Sequence, residues 1–187
     1  MIHLMINEPA ENILDKTSFG GLPVKETGTE PVWPKCSCGA ELQYQGKIKT
    51  EIGYELIFMY NCDDWGSSPV IIVDSENLEF YHPEYSDMAL RDSEYGVTIF
   101  EAEGDDYETA REDWDGNRRQ VLGQLYGEPS WLLGDETPKC TCCNKKMRFV
   151  AQLEEGPDHK TAMNFGGGSG YLFDCKEGRT AKFLTQC

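Results

Sequence analysis

Cysteine is the residue type in this chain whose spacing says most about chemistry. Cys140 and Cys143 are separated by two residues in Pro138-Lys139-Cys140-Thr141-Cys142-Cys143, and Cys36 and Cys38 by one in Pro34-Lys35-Cys36-Ser37-Cys38, roughly a hundred residues upstream. Two cysteines held this close on a tight turn supply half of the tetrahedral sulfur or nitrogen shell that zinc requires. A third cysteine ends a later apolar segment in each half: Cys62 after Phe58-Met59-Tyr60-Asn61, and Cys175 after Tyr171-Leu172-Phe173-Asp174. The candidate zinc ligands are therefore Cys140, Cys143 and Cys175 in one cluster and Cys36, Cys38 and Cys62 in the other. Spacing singles out no fourth donor. Cys142, Cys187, His159 or Asp174 would complete the later cluster, and Asp63, Asp64 or His82 the earlier one. The competing reading is that the paired cysteines pack as small apolar side chains. It is stronger in the earlier cluster, where the single intervening residue disfavours chelation by both sulfurs.

Other chemistry is sparse in the sequence. His3, His82 and His159 form no His-Glu-x-x-His pattern, and no Gly-x-Ser-x-Gly elbow is present. Asn164-Phe165-Gly166-Gly167-Gly168-Ser169-Gly170 resembles a phosphate loop in composition. It leads into a strand and carries no Lys-Ser or Lys-Thr pair, so a tight hairpin or bulge is expected.

The elements that must position the cysteines repeat with them. Aligning Cys36 with Cys140, with one inserted residue, pairs Cys38 with Cys143, Leu42 with Met147, Tyr44 with Phe149 and Ile48 with Leu153. Gly21-Leu22-Pro23 answers Gly127-Glu128-Pro129. The chain thus reads as two diverged copies of a turn, a cysteine knuckle and a hairpin. The expected fold class is α+β, mainly antiparallel β, in a single domain of two pseudo-repeats, about 17–100 and 121–187, joined by an acidic segment at 101–115. Strands are expected at 41–45, 54–60, 68–73, 97–100, 148–153, 171–175 and 181–185. Residues 1–18 read as a leader with a short helix around Glu11 to Lys16, residues 24–34 as a loop, and the stretch around His82 and Tyr85 as a polar, aromatic-rich loop.

With 17 basic and 33 acidic residues the net charge is -16, which repels a nucleic-acid backbone and favours a basic partner. The densest run holds Glu101, Glu103, Asp105, Asp106, Glu108, Glu112, Asp113 and Asp115, with Tyr107 and Trp114 interleaved. One reading is a solvated face. The other is a docking patch in which the aromatics anchor a basic protein and the carboxylates steer it. The N-terminal residues lack the pattern of a secretory signal, and no apolar run is long enough to span a membrane, so the expected compartment is the cytoplasm.

Gly20-Gly21-Leu22-Pro23, Trp33 to Gly39 and Leu42-Gln43-Tyr44, with their counterparts Tyr126 to Pro129, Cys140 to Met147, Phe149, Gln152-Leu153, Asn164 to Gly168, Phe173-Asp174-Cys175 and Phe183 to Gln186, resemble the YwqG-like bacterial proteins over most of the chain from about residue 17 onward. The resemblance implies a mostly β fold with internal pseudo-symmetry, no established enzymatic activity, and a role as an immunity protein that occludes a cognate interbacterial toxin. The knuckles are also similar to the zinc-ribbon region of programmed cell death protein two and its ribosomal-chaperone relatives. That second likeness implies zinc and, as an alternative, a chaperone or adaptor for a basic client such as a ribosomal protein. The sequence departs from this pattern in its shortened first knuckle and in having no fourth cysteine close behind Cys62 or Cys175. An enzyme with a cysteine or zinc centre is the third reading.

Overall fold

Short segments rich in aliphatic and aromatic residues, punctuated by glycine and proline, fold here as strands. The computed structural model describes residues 1–10, 13–59, 68–90, 95–157, 163 and 165–187, and is mostly antiparallel β. In chain order the elements are β1 (Ile2–Glu8), β2 (Ser18–Phe19), β3 (Val24–Glu26), β4 (Gln43–Thr50), β5 (Gly53–Met59), β6 (Val70–Val73), β7 (Leu78–Phe80), β8 (Tyr95–Ala102), α1 (Tyr107–Asp113), β9 (Val121–Leu125), β10 (Arg148–Leu153), β11 (Ser169–Cys175) and β12 (Thr180–Gln186). Short 3-10 turns occupy Pro83–Met88 and Arg118–Gln120. The chain divides into two compact units, Pro9–Gly96 and Met1–Glu8 with Val97–Cys187.

In the unit Pro9–Gly96, β2, β4, β5 and β6 lie side by side as antiparallel neighbours, while β3 and β7 form a separate two-stranded sheet. Its core gathers Val24, Leu42, Tyr44, Leu56 and Phe58, with Trp33 packed against them. Trp33 meets Phe58 edge-on at 5.4 Å and stacks on Tyr85 at 5.3 Å. Lys47, fully buried, donates to Ser18 Oγ at 2.5 Å.

In the unit built from Met1–Glu8 and Val97–Cys187, the order is β12, β11, β10, β9, β1 and then the later residues of β8. Asp106 caps α1 by accepting from the Thr109 N–H at 2.9 Å. The helix then turns Tyr107 and Ala110 onto Ile2, Leu4, Ile6 and Val121. A second cluster, Cys140, Met147, Phe149, Tyr171, Phe173 and Cys175, lies under Trp131.

Each unit contains the same hydrogen-bonded frame. The Leu42 N–H donates to Pro34 O at 3.1 Å and that of Cys36 to Ala40 O at 2.9 Å; Met147 donates to Pro138 O and Cys140 to Lys145 O, both at 2.9 Å. The residue after the second knuckle cysteine has positive φ in both, Gly39 at 87° and Asn144 at 59°. The ladder is irregular between Tyr44 and Gly46 in one hairpin and between Phe149 and Ala151 in the other. Gly20 donates to Gln45 O at 2.8 Å as Tyr126 does to Val150 O at 2.7 Å.

Several expectations need correction. Residues 2–8 are a strand rather than a leader: Ile2, Leu4 and Ile6 face the α1 cluster and Met5 is buried as well. Of the helix expected near Glu11 to Lys16, Ile13 to Lys16 form a turn closed by Lys16 N–H to Ile13 O at 3.2 Å, while Glu11 and Asn12 lie outside the described residues. The 24–34 loop contains β3, held against β7 by the Lys25–Glu79 ion pair and three residue pairings. The stretch before Tyr85 contains β7, and Tyr85 itself sits in a 3-10 turn that begins at Pro83. In segment 101–115, Ala102, Tyr107 and Ala110 are core residues of the unit that contains β9 to β12.

Candidate metal centre

Two loops bring three sulfurs together. The first is the knuckle before β10, narrowed by the Lys139–Lys146 bridge and by the Asn144 N–H bonded to Cys140 O at 2.9 Å. The second is the turn after β11, where β11 and β12 pair in register through Cys175 and Thr180. Their meeting places the Sγ atoms of Cys140, Cys143 and Cys175 within 4.8 Å of one another. Cys143 Sγ and Cys175 Sγ stand 3.6 Å apart. That is too long for a disulfide, and close to the ~3.8 Å between sulfurs that tetrahedral geometry at a zinc–sulfur distance of about 2.3 Å demands.

The surroundings favour thiolate. Backbone N–H groups at Cys143 and Cys142, and the Thr180 hydroxyl, hold the Cys140 thiol well below its ordinary range, to about 6. The Cys142 N–H lies 3.4 Å from Cys140 Sγ and Thr180 Oγ1 3.6 Å. At Cys175 the Gly178 N–H, 3.3 Å from Sγ, favours the thiolate, but hydrogen bonding with Cys140, burial and the neighbouring sulfurs outweigh it and push this thiol up. The Cys175 proton thus stays in the cluster when Cys140 ionises. A divalent cation would replace it and offset the repulsion among sulfurs. N–H groups directed at ligand sulfurs are the usual second layer of such a site. Among the described residues this is the grouping of Cys, His, Asp or Glu close enough to hold a metal ion.

No protein-family model and no curated protein matches this chain. Its own chemistry therefore carries the functional reading.

The other ligand candidates fall elsewhere. Cys36 and Cys38 are joined to each other as a disulfide, which removes both from the ligand set, because the thiolate is the form that binds metal. Cys62, Asp63, Asp64 and His159 lie outside the described residues. Asp174 points to the opposite face of β11 from Cys175 and takes both oxygens to Arg148, with Nε at 2.9 Å and Nη2 at 2.6 Å. His82 caps the 3-10 turn by accepting from the Glu84 N–H at 3.3 Å. Cys142 and Cys187 are exposed.

In the acidic segment all eight carboxylates are exposed, yet the two aromatics named with them are not offered to a partner: Tyr107 is buried and Trp114 is half-buried against the same core. Burial also pushes the Tyr107 phenol far up. The apolar surface beside the carboxylates is Ile99 and Phe100, exposed to 41% and 44%. Sequence reading placed them only in a strand at 97–100. The glycine-rich loop holds no free anion cradle: the Glu155 carboxylate accepts from the Phe165 and Gly167 N–H groups, at 3.3 and 2.8 Å. Also unforeseen is a cleft of about 630 Å³ lined by Tyr126, Trp131, Phe149, Phe173, Arg148 and Asp135. No helix among the described residues is long and apolar enough to cross a membrane.

Proposed function

We propose that this chain is a cytoplasmic immunity protein that binds a basic toxin domain and occludes it without catalysis. The observation that carries this reading is the run from Glu101 to Asp115, whose eight carboxylates are all exposed and which follows the exposed Ile99 and Phe100 of β8. Carboxylates in that number steer a positively charged domain into encounter, and an exposed apolar side chain on the face that it meets gives a dry contact that slows release. The helix carrying three of these charges, Glu108, Glu112 and Asp113, is anchored by Tyr107 and Ala110, so that part of the patch is presented on a fixed support. Zinc at Cys140, Cys143 and Cys175 has a structural role in this reading, locking the knuckle to the turn after β11. What favours a metal role is the company of the Cys140 sulfur, which has the Cys143 and Cys175 sulfurs within 4.8 Å.

The test is coexpression with a candidate basic toxin domain, any encoded beside the gene first, followed by purification of the pair. Protection from killing and a stoichiometric complex are expected. Reversing Glu101, Glu103 and Glu112 to lysine should slow association about tenfold or more at low salt, and much less at high salt. Absence of a complex at either salt concentration, or recovery of a ribosomal protein in its place, would overturn the reading.

A further inference from the structure

A cavity of about 400 Å³ opens beside α1, within the unit that contains β9 to β12. Its wall takes Glu108 and Arg111 from α1, Glu154 and Glu155 from the chain just after β10, and Ser169 from the start of β11. Three carboxylates and one guanidinium line it, an excess of two negative charges. Each carboxylate is held in place by its neighbours. Glu154 Oε1 accepts from the Gln152 amide and the Ser169 hydroxyl, both at 3.2 Å, and Arg111 Nη1 lies 3.8 Å from its other oxygen. Gln152 is itself fully buried and accepts from the Ser130 N–H at 2.8 Å, while the Ser130 hydroxyl donates to Glu108 at 3.1 Å. Glu155 is fixed by the Phe165 and Gly167 N–H groups. Behind them stands Tyr107, 2% exposed, whose hydroxyl lies close enough to Glu154, Arg111 and Glu108 for each to act on its ionisation. That hydroxyl makes no hydrogen bond among the described residues, so a lone pair remains for a donor that enters the cavity.

We propose that this cavity takes the guanidinium of an arginine side chain on the protein that the chain binds, with Glu108, Glu154 and Glu155 accepting its N–H groups. This deepens the reading given above and rests on it for the source of the arginine. The excess of negative charge selects a cation, and the spread of the acceptors selects which one. Among the described residues the sulfur cluster is the group whose ligand atoms lie within 4.8 Å of one another, so these carboxylates stand too far apart to close on a metal ion. An ammonium presents three donors from a single point, whereas a guanidinium presents five across a rigid plane and reaches separated carboxylates at once. Two of the three acceptors lie outside the acidic run, so the cavity adds a specific contact to what the run supplies by charge alone.

Backbone amide shifts of the full chain report occupancy directly. Titration with Nα-acetyl-arginine methylamide should shift the amides of Glu154, Glu155 and Ser169 and reach saturation. The citrulline counterpart, which keeps the shape and lacks the charge, should leave them in place, and the lysine counterpart should bind about tenfold more weakly. Glu108→Gln keeps an acceptor for Ser130 and removes only charge, so it should weaken the arginine probe about tenfold. Glu30→Gln, an equal change in net charge on the other unit, should leave binding as it is in the wild type. Citrulline binding as well as arginine, or an equal loss in both variants, would overturn the proposal. If the arginine probe produces no saturable shift while a basic toxin domain still forms a complex, the cavity is disproved and the immunity reading stands. If the probe saturates the cavity and no basic toxin domain binds, the guanidinium site is supported and the immunity reading falls.

Discussion

The two cysteine knuckles share their frame and differ in what their sulfurs do. Around Cys36 and Cys140 the same carbonyls accept from the same relative N–H groups, with the C-terminal loop longer by one residue. With one residue between them, Cys36 and Cys38 turn toward each other and join. With two, Cys140 and Cys143 face away from the loop toward a third sulfur on the neighbouring turn. A single insertion therefore separates a closed covalent loop from one whose two thiols stand close enough to a third to hold a metal ion. A second difference lies one pair along the hairpin. Where β10 and β11 place Arg148 opposite Asp174, β4 and β5 place Gln43 opposite Met59. The C-terminal hairpin uses charge at the places where the N-terminal one uses neutral side chains.

The largest effect expected from breaking this contrast is loss of the metal. Chelation, or Cys175→Ser, should abolish stoichiometric zinc in elemental analysis. It should also lower the melting temperature by about 10 °C, corresponding to a few kcal/mol withdrawn from one unit. Cys36→Ser should leave the zinc content unchanged. Equal zinc loss in both variants would mean that the two knuckles are not distinct.

Next in size is the ion pair. Asp174 is fully buried, and Arg148 supplies both of its hydrogen bonds while lying over the Tyr126 ring at 5.9 Å. Arg148→Gln strands the carboxylate. The cost should be about 2–3 kcal/mol, at or below the lower end of the range for breaking a buried pair because the guanidinium is partly exposed. Adding Asp174→Met, which copies the pair found in β4 and β5, should recover at least half of the loss in chemical denaturation. A double variant no better than the single one would show that the N-terminal solution does not transfer.

How far the sequence could be read follows from the range of the forces involved. The Cys-x-x-Cys knuckle and its partner Cys175 were legible because a metal shell imposes local spacing and because the repeat supplied a second copy. The antiparallel hairpins were legible from alternation in segments such as Glu41 to Gln45. β1 was missed although Ile2, Leu4 and Ile6 alternate, since Met5 between them is buried on the other face and the alternation is blurred. Tyr107 and Trp114 looked like anchors for a partner because they stand among carboxylates. Only the helical geometry of α1, which sends Tyr107 and Ala110 to one side, shows that the core takes the ring.

Opening the N-terminal loop should have a smaller effect. A disulfide that closes so few residues constrains the unfolded chain little, so Cys36→Ser with Cys38→Ser should cost about 1.5 kcal/mol, or a few degrees of melting temperature. Inserting one residue after Ser37 is the sharper experiment. It copies the C-terminal spacing and should raise the count of reactive thiols by two under non-reducing conditions. An unchanged count would show that spacing is not what joins Cys36 to Cys38.

The smallest and most local prediction concerns protons. N–H groups and the Thr180 hydroxyl lower the Cys140 thiol to about 6, so its thiolate persists from high pH down to that value and is lost below it. In metal-free protein the ultraviolet thiolate absorbance should therefore contain one step near pH 6 that is absent from Cys140→Ser and present in Cys142→Ser. Thr180→Val removes one of the groups that stabilise the anion and should move the step upward without abolishing it. Metal affinity should follow the same sign. Above the step the ion meets a Cys140 sulfur already ionised, whereas below it each binding event must expel one proton more, so affinity falls as pH drops through 6. A step that remains in Cys140→Ser would assign the low-pH thiolate to another cysteine. It would also remove the link drawn here between the N–H groups of the knuckle and the readiness of the site to take a metal.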